Sequence, residues 1–168
     1  MRSSRHSRHG DIHGSAESFD LLIGLKVKPR EIVALREGSI NFTGCFIFEF
    51  PKTNEVFFTS PPKELFSRPT RMDLTREKEI VKWTKTPIPN VHRHFLDQGL
   101  KKATSIGLSE EQNADYAKIA EGSNGFYAIT YKDDGYSRSH AVTLYIIDRQ
   151  TRRLLEFVDT NTLYEPDS

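Results

Sequence analysis

A histidine and an aspartate stand at matching ends of two consecutive β-prone runs. The runs are Ser139-His140-Ala141-Val142-Thr143-Leu144-Tyr145-Ile146-Ile147 and Leu154-Leu155-Glu156-Phe157-Val158-Asp159-Thr160-Asn161. A tight turn centred on Arg149-Gln150 makes them an antiparallel hairpin, in which Ile147 faces Arg152, Tyr145 faces Leu154, Val142 faces Phe157 and His140 faces Asp159. Opposed residues of such a pair have Cβ atoms about 4.5–5.5 Å apart, so an imidazole and a carboxylate can meet at the open end. The rest of that face is apolar (Val142, Leu144, Leu155, Phe157), which leaves one side of the pair dry. A carboxylate that accepts from one imidazole nitrogen fixes the tautomer and frees the other nitrogen as a base. Asn161 takes over that role if the register slips by two residues. The competing reading is a structural His–Asp hydrogen bond at a sheet edge, which perturbs pKa without catalysis.

A base of this kind needs a nucleophile to serve. Cys45 is the chain's one cysteine, and Gly44 before it suits a close approach of backbone to substrate. The residues after it, Phe46-Ile47-Phe48-Glu49-Phe50-Pro51, read as strand. The bland reading of Cys45 is a small buried hydrophobe.

Ser139-His140-Ala141-Val142 followed by Phe157-Val158-Asp159-Thr160-Asn161 resembles the C-terminal half of papain-like cysteine hydrolases. It is most similar to the compact bacterial effector and toxin forms: secreted cysteine proteases, glutamine deamidases and related amidases. The resemblance covers the last three expected strands. It implies His140 as general base, Asp159 as its orienting group and Cys45 as nucleophile. The implied reaction is acyl transfer from an amide, by proteolysis or side-chain deamidation, on a protein of another (host) cell. The sequence departs from the family in two places. The family's cysteine opens a helix, whose dipole lowers the thiol pKa and whose N–H groups build the oxyanion hole. Many members also carry an oxyanion-hole glutamine at the position held here by Ser39. Three explanations follow: Cys45 is the nucleophile in a segment more helical than its propensity; the nucleophile lies N-terminal to Met1; or the scaffold binds without catalysing. In the binding reading, a Phe-rich hairpin over residues 40–59 presents an edge strand to a partner protein.

Composition narrows the classes. With 168 residues the chain is the size of one ordinary domain, and 36% hydrophobic with 28% charged residues fits a globular core. A net charge of +1 argues against a dedicated nucleic-acid or membrane-surface protein. A single cysteine allows no internal disulfide and fits a reducing compartment. No apolar run approaches the roughly 18 residues of a membrane span. The N-terminus lacks the apolar core of a signal peptide, so export would need a route without one. No cofactor or metal site is expected, and His92-x-His94 reads as surface because helical residues two apart diverge.

The expected class is α+β, an antiparallel sheet with a C-terminal meander and helices packed mainly on one face. Residues 1–18, with His6, His9 and His13, read as a basic flexible tail. Residues 19–168 read as one domain. Within it, residues 19–35 read as a strand or helix, a break at Pro29, then a short helix. Residues 40–50 read as a strand, 51–54 as a turn and 55–59 as the return strand. Helices are expected from about Thr75 to Trp83, from Asn90 to a stop at Gly107, and from a Ser109–Gln112 capping box to Gly122. Strands follow at 126–132 and in the hairpin. Trp83 and the phenylalanines read as core, and the pairs Lys101-Lys102 and Arg152-Arg153 as solvated surface.

Overall fold

The computed structural model describes residues 14–38, 42–67, 77–133 and 140–162, and for residues 77, 78, 133, 140, 161 and 162 the backbone alone. Its elements in chain order are α1 (Ala16–Ile23), β1 (Arg30–Glu37), β2 (Thr43–Glu49), α2 (Glu55–Thr59), β3 (Glu77–Lys85), α3 (Asn90–Ser105), α4 (Glu110–Glu121), β4 (Gly125–Asp133), β5 (His140–Asp148) and β6 (Arg153–Thr162). The six strands form one sheet, antiparallel throughout, in the order β1-β2-β6-β5-β4-β3. The fold class is therefore α+β, and β4-β5-β6 is the expected meander. The tail residues 1–13, the turn residues 134–135 and Ser39 lie outside the described residues.

Strand β2 shows why the sheet needs a cover on each side. Every residue from Thr43 to Phe48 is buried, so both of its faces are dry. Cys45 and Ile47 point into a layer built with Leu96, Leu100 and Ala103 of α3 and Tyr116 and Ala120 of α4. Phe46 and Phe48 point into a second layer with Phe19 and Leu22 of α1, Phe58 of α2, and Trp83. The two long helices occupy one face, and short elements close the other. Ser15 caps α1, and Gly24 ends it at φ 80. Helix α1 thus starts inside the segment read as tail, with Ser18 fully buried. The Ser109–Gln112 capping box opens α4 as expected.

Three elements differ from their sequence reading. Residues 32–35 are strand, because β1 pairs with β2 along its whole length and needs only alternate apolar contacts from Val33 and Leu35. Residues 55–59 are a helical turn and not a return strand. Strand β2 already has β1 and β6 as neighbours, so it offers no third edge, and α2 is anchored by the Phe58 ring 5.4 Å from that of Phe50. Of the helix expected at 75–83, the described part from Glu77 on is instead the edge strand β3. Irregular pairing between Glu79 and Val81 and between Val81 and Thr84 lets Val81 and Trp83 enter opposite layers, which breaks the period of two that marks a strand.

The β5–β6 hairpin also corrects the register. Its loop spans four residues, 149–152, and not two. The Asp148 carboxylate closes it, accepting from Gln150 N (3.1 Å) and Thr151 Oγ1 (2.8 Å), while Arg152 N donates to Asp148 O (3.0 Å). Ile147 therefore pairs with Leu154 and Val142 with Asp159. A shift of two keeps every side chain on its face, so the core residues are unchanged. It does change who faces whom at the open end, where a bulge follows and His140 pairs with Thr162.

Candidate functional site

Asp159 lies on β6, 6% exposed, on the face covered by α3. Its neighbours are Val142, Leu144 and Phe157 from the sheet and Phe95, Gln98 and Gly99 from the helix. Helix α3 approaches closely there because position 99 has no side chain; a Cβ at Gly99 would sit 3.1 Å from the Phe157 ring. That approach brings Lys102, in the last turn of α3, within 2.5 Å of Asp159 Oδ2. Lys102 is thus a partner of the carboxylate and not the solvated surface residue read from the sequence. The lysine also suits the negative end of its helix.

His140 begins β5, with Asp133 and Thr162 as its backbone partners. On β5 the residue directly opposite Asp159 is Val142, so the backbone register does not set His140 and Asp159 face to face. The pairing moved because the loop that sets it is longer than a two-residue turn.

Cys45 sits in the middle of the sheet, on the row Leu35–Cys45–Phe157–Leu144, and is fully buried. Burial, with the negative charge of Glu156 added, pushes its thiol up to about 12. His140 is two strands over and four residues along. At about 4.8 Å per strand and 3.3 Å per residue, their Cα atoms stand roughly 16 Å apart, beyond the combined reach of the two side chains. The structure does not bring Cys45 and His140 together. A segment that is strand offers no helix dipole to the thiol either. Cys45 belongs to the apolar layer, and substitutions are expected to show it. Cys45→Ala should cost about 1 kcal/mol, while Cys45→Ser, which buries a hydroxyl among Ile47, Leu155 and Phe157, should cost about 1–3 kcal/mol. Chemical denaturation of the two variants checks the order.

A second group of polar residues went unnoticed in the sequence. Glu49, at the end of β2, accepts from Arg30 (3.1 Å) and Arg153 Nε (3.2 Å) and lies 3.6 Å from Arg152. Burial raises its pKa, but hydrogen bonds from Arg153 and Arg30 and their charges outweigh that, so the carboxyl is held below its ordinary value. The Arg152-Arg153 pair was the visible signal. What sequence could not show is that it folds back onto a glutamate at the end of another strand.

His92 and His94 lie on α3, the first half-buried and the second exposed. His92 Nδ1 is 2.9 Å from the Tyr127 hydroxyl, and burial together with the charge of His94 lowers its pKa. Among the described residues there is no group of three or more His, Cys, Asp or Glu positioned for a metal ion, and no helix is long and apolar enough to cross a membrane. No family model, no curated protein and no solved structure matches the chain.

Proposed function

We propose that this chain is a non-catalytic protein-binding domain whose β5–β6 hairpin resembles the base-bearing half of a papain-like hydrolase. The observation that carries the reading is the placement of Cys45. A nucleophilic thiol must ionise near neutral pH and face its base. Cys45 does neither: it is sealed in the core, its thiol resists ionisation, and it lies two strands away from His140. The likeness of the His140 and Asp159 strands to bacterial effector enzymes supports a protein of a host cell as the partner.

Thiol chemistry tests this reading. A rise from 9.0 to about 12 removes about a thousandfold of the thiolate at a given pH below both values. Iodoacetamide at about pH 8 should therefore label native Cys45 at least about a thousandfold more slowly than the guanidinium-unfolded chain, and His140→Ala should leave that rate unchanged. Native labelling at the unfolded rate, with a pH inflection near or below neutrality that His140→Ala abolishes, would restore the hydrolase reading.

A further inference from the structure

We propose that the cleft where β1 begins and β2 ends binds a phosphate monoester. The cleft has a volume of about 370 Å³. It is lined by Lys28, Pro29 and Arg30 at the start of β1, by Glu49, Pro51 and Lys52 at the end of β2, and by Arg152. Four cations and one carboxylate thus meet in one concavity, in a chain whose net charge is only +1. Arg153, which shares Glu49 Oε1 with Arg30, adds a fifth positive charge beside it.

The arrangement is preorganised on both sides. Pro29 and Pro51 each fix a backbone torsion next to a basic residue. Arg152 is the one described non-glycine residue with positive φ, at 60°. Glycine would take that conformation without strain, so an arginine stands there at a conformational cost. Its side chain is put to use: Nε donates to Phe50 O at 3.1 Å, and the guanidinium lies beside Glu49. Arg152, its side chain 18% exposed, is held in the lining of the cleft.

Charge balance selects the ligand. Glu49 orients the arginines but supplies a single negative charge. Lys28 and Lys52 are both exposed, and neither has an ion-pair partner among the described residues. A carboxylate ligand would neutralise one of them. A phosphate monoester carries about −1.5 to −2 near pH 7 and offers three acceptor oxygens, enough for both ammonium groups and an outward guanidinium N–H. The cleft is open to solvent on the side of Arg30, which is 70% exposed, so the phosphate can be carried on a peptide side chain or on a small metabolite. The site stands whether or not the domain is catalytic.

The test is an NMR titration of the full chain with three probes: a phosphoserine peptide, its unphosphorylated form, and free O-phosphoserine. The phosphorylated probes should shift the amides of Lys28, Arg30, Lys52 and Arg152, and the unphosphorylated peptide should not. Lys28→Met with Lys52→Met should weaken binding at least about tenfold, while Lys101→Met with Lys118→Met, also exposed lysines, should leave it unchanged. Tighter binding of the peptide than of free phosphoserine identifies a phosphoprotein as the source; equal binding identifies a small phosphate ester. The proposal is overturned if the first double variant binds as tightly as the parent chain, if both double variants weaken binding equally, or if the peptide binds regardless of phosphorylation.

Discussion

Trp83→Ala should remove about 3–5 kcal/mol of folding stability, a large share of the 5–15 kcal/mol of an ordinary domain. Trp83 is 1% exposed, at the centre of the layer beneath α1. Its indole Nε1 donates to Leu22 O at 3.0 Å, and its ring lies 6.0 Å from that of Tyr145. Truncation leaves a cavity and also strands the Leu22 carbonyl at the end of α1. Trp83→Phe keeps most of the volume and loses the hydrogen bond, so it should cost distinctly less. The midpoint of guanidinium unfolding, with the slope compared across variants, reads both. A loss below about 1 kcal/mol for Trp83→Ala would mean that α1 does not depend on this contact.

Gly125→Ala should be nearly as damaging, at about 3 kcal/mol. A Cβ there would lie 2.8 Å from Ile147 O and 2.6 Å from Ile119 Cγ2. The isoleucine methyl can rotate away, but Ile147 O is backbone of β5 and cannot. Gly125 is also clasped by Thr86, whose N and Oγ1 donate to Gly125 O at 3.0 and 3.2 Å and whose Oγ1 accepts from Gly125 N at 3.0 Å. Any shift that relieves the clash loosens this clasp, which joins the end of β3 to the start of β4. Gly122→Ala is the control, because its nearest neighbour would be Lys118 O at 3.5 Å. For a domain of this size the difference should appear as a fall in Tm of about 6–12 °C for Gly125→Ala, with little change for Gly122→Ala.

What the sequence reveals of this fold is what is local. The three-strand meander, α3 and its end at Gly107, and the capped start of α4 are all set by short-range pattern and turn chemistry. The elements that escape are those decided by distant partners. Glu55-Val56-Phe57-Phe58-Thr59 is β-prone in isolation, yet β2 has no free edge to receive it. Ile80, Val81 and Trp83 look helical because irregular pairing hides their alternation. The candidate site behaves the same way. His140 and Asp159 are on adjacent strands as expected, but their pairing turns on two extra loop residues and on a carboxylate that caps them. Lys102 and Glu49 acquire their partners only when a helix packs on β6 and β6 pairs with β2, across 57 and 104 residues of chain. No pattern in the linear chain encodes those meetings.

The sheet is stitched through its middle by the pairing of β2 with β6, where Phe42 and Thr160 bond across a separation of 118 residues. A ribosome delivers β6 last of the six described strands. Until it emerges, the β1–β2 hairpin and the strands β3 to β5 are two unjoined pieces, each showing an unpaired edge and a row of phenylalanines or aliphatic side chains. Until β6 pairs, the β2 edge that carries Cys45 and Phe46 lacks its second neighbour, so closure of both core layers waits on the last of the described strands.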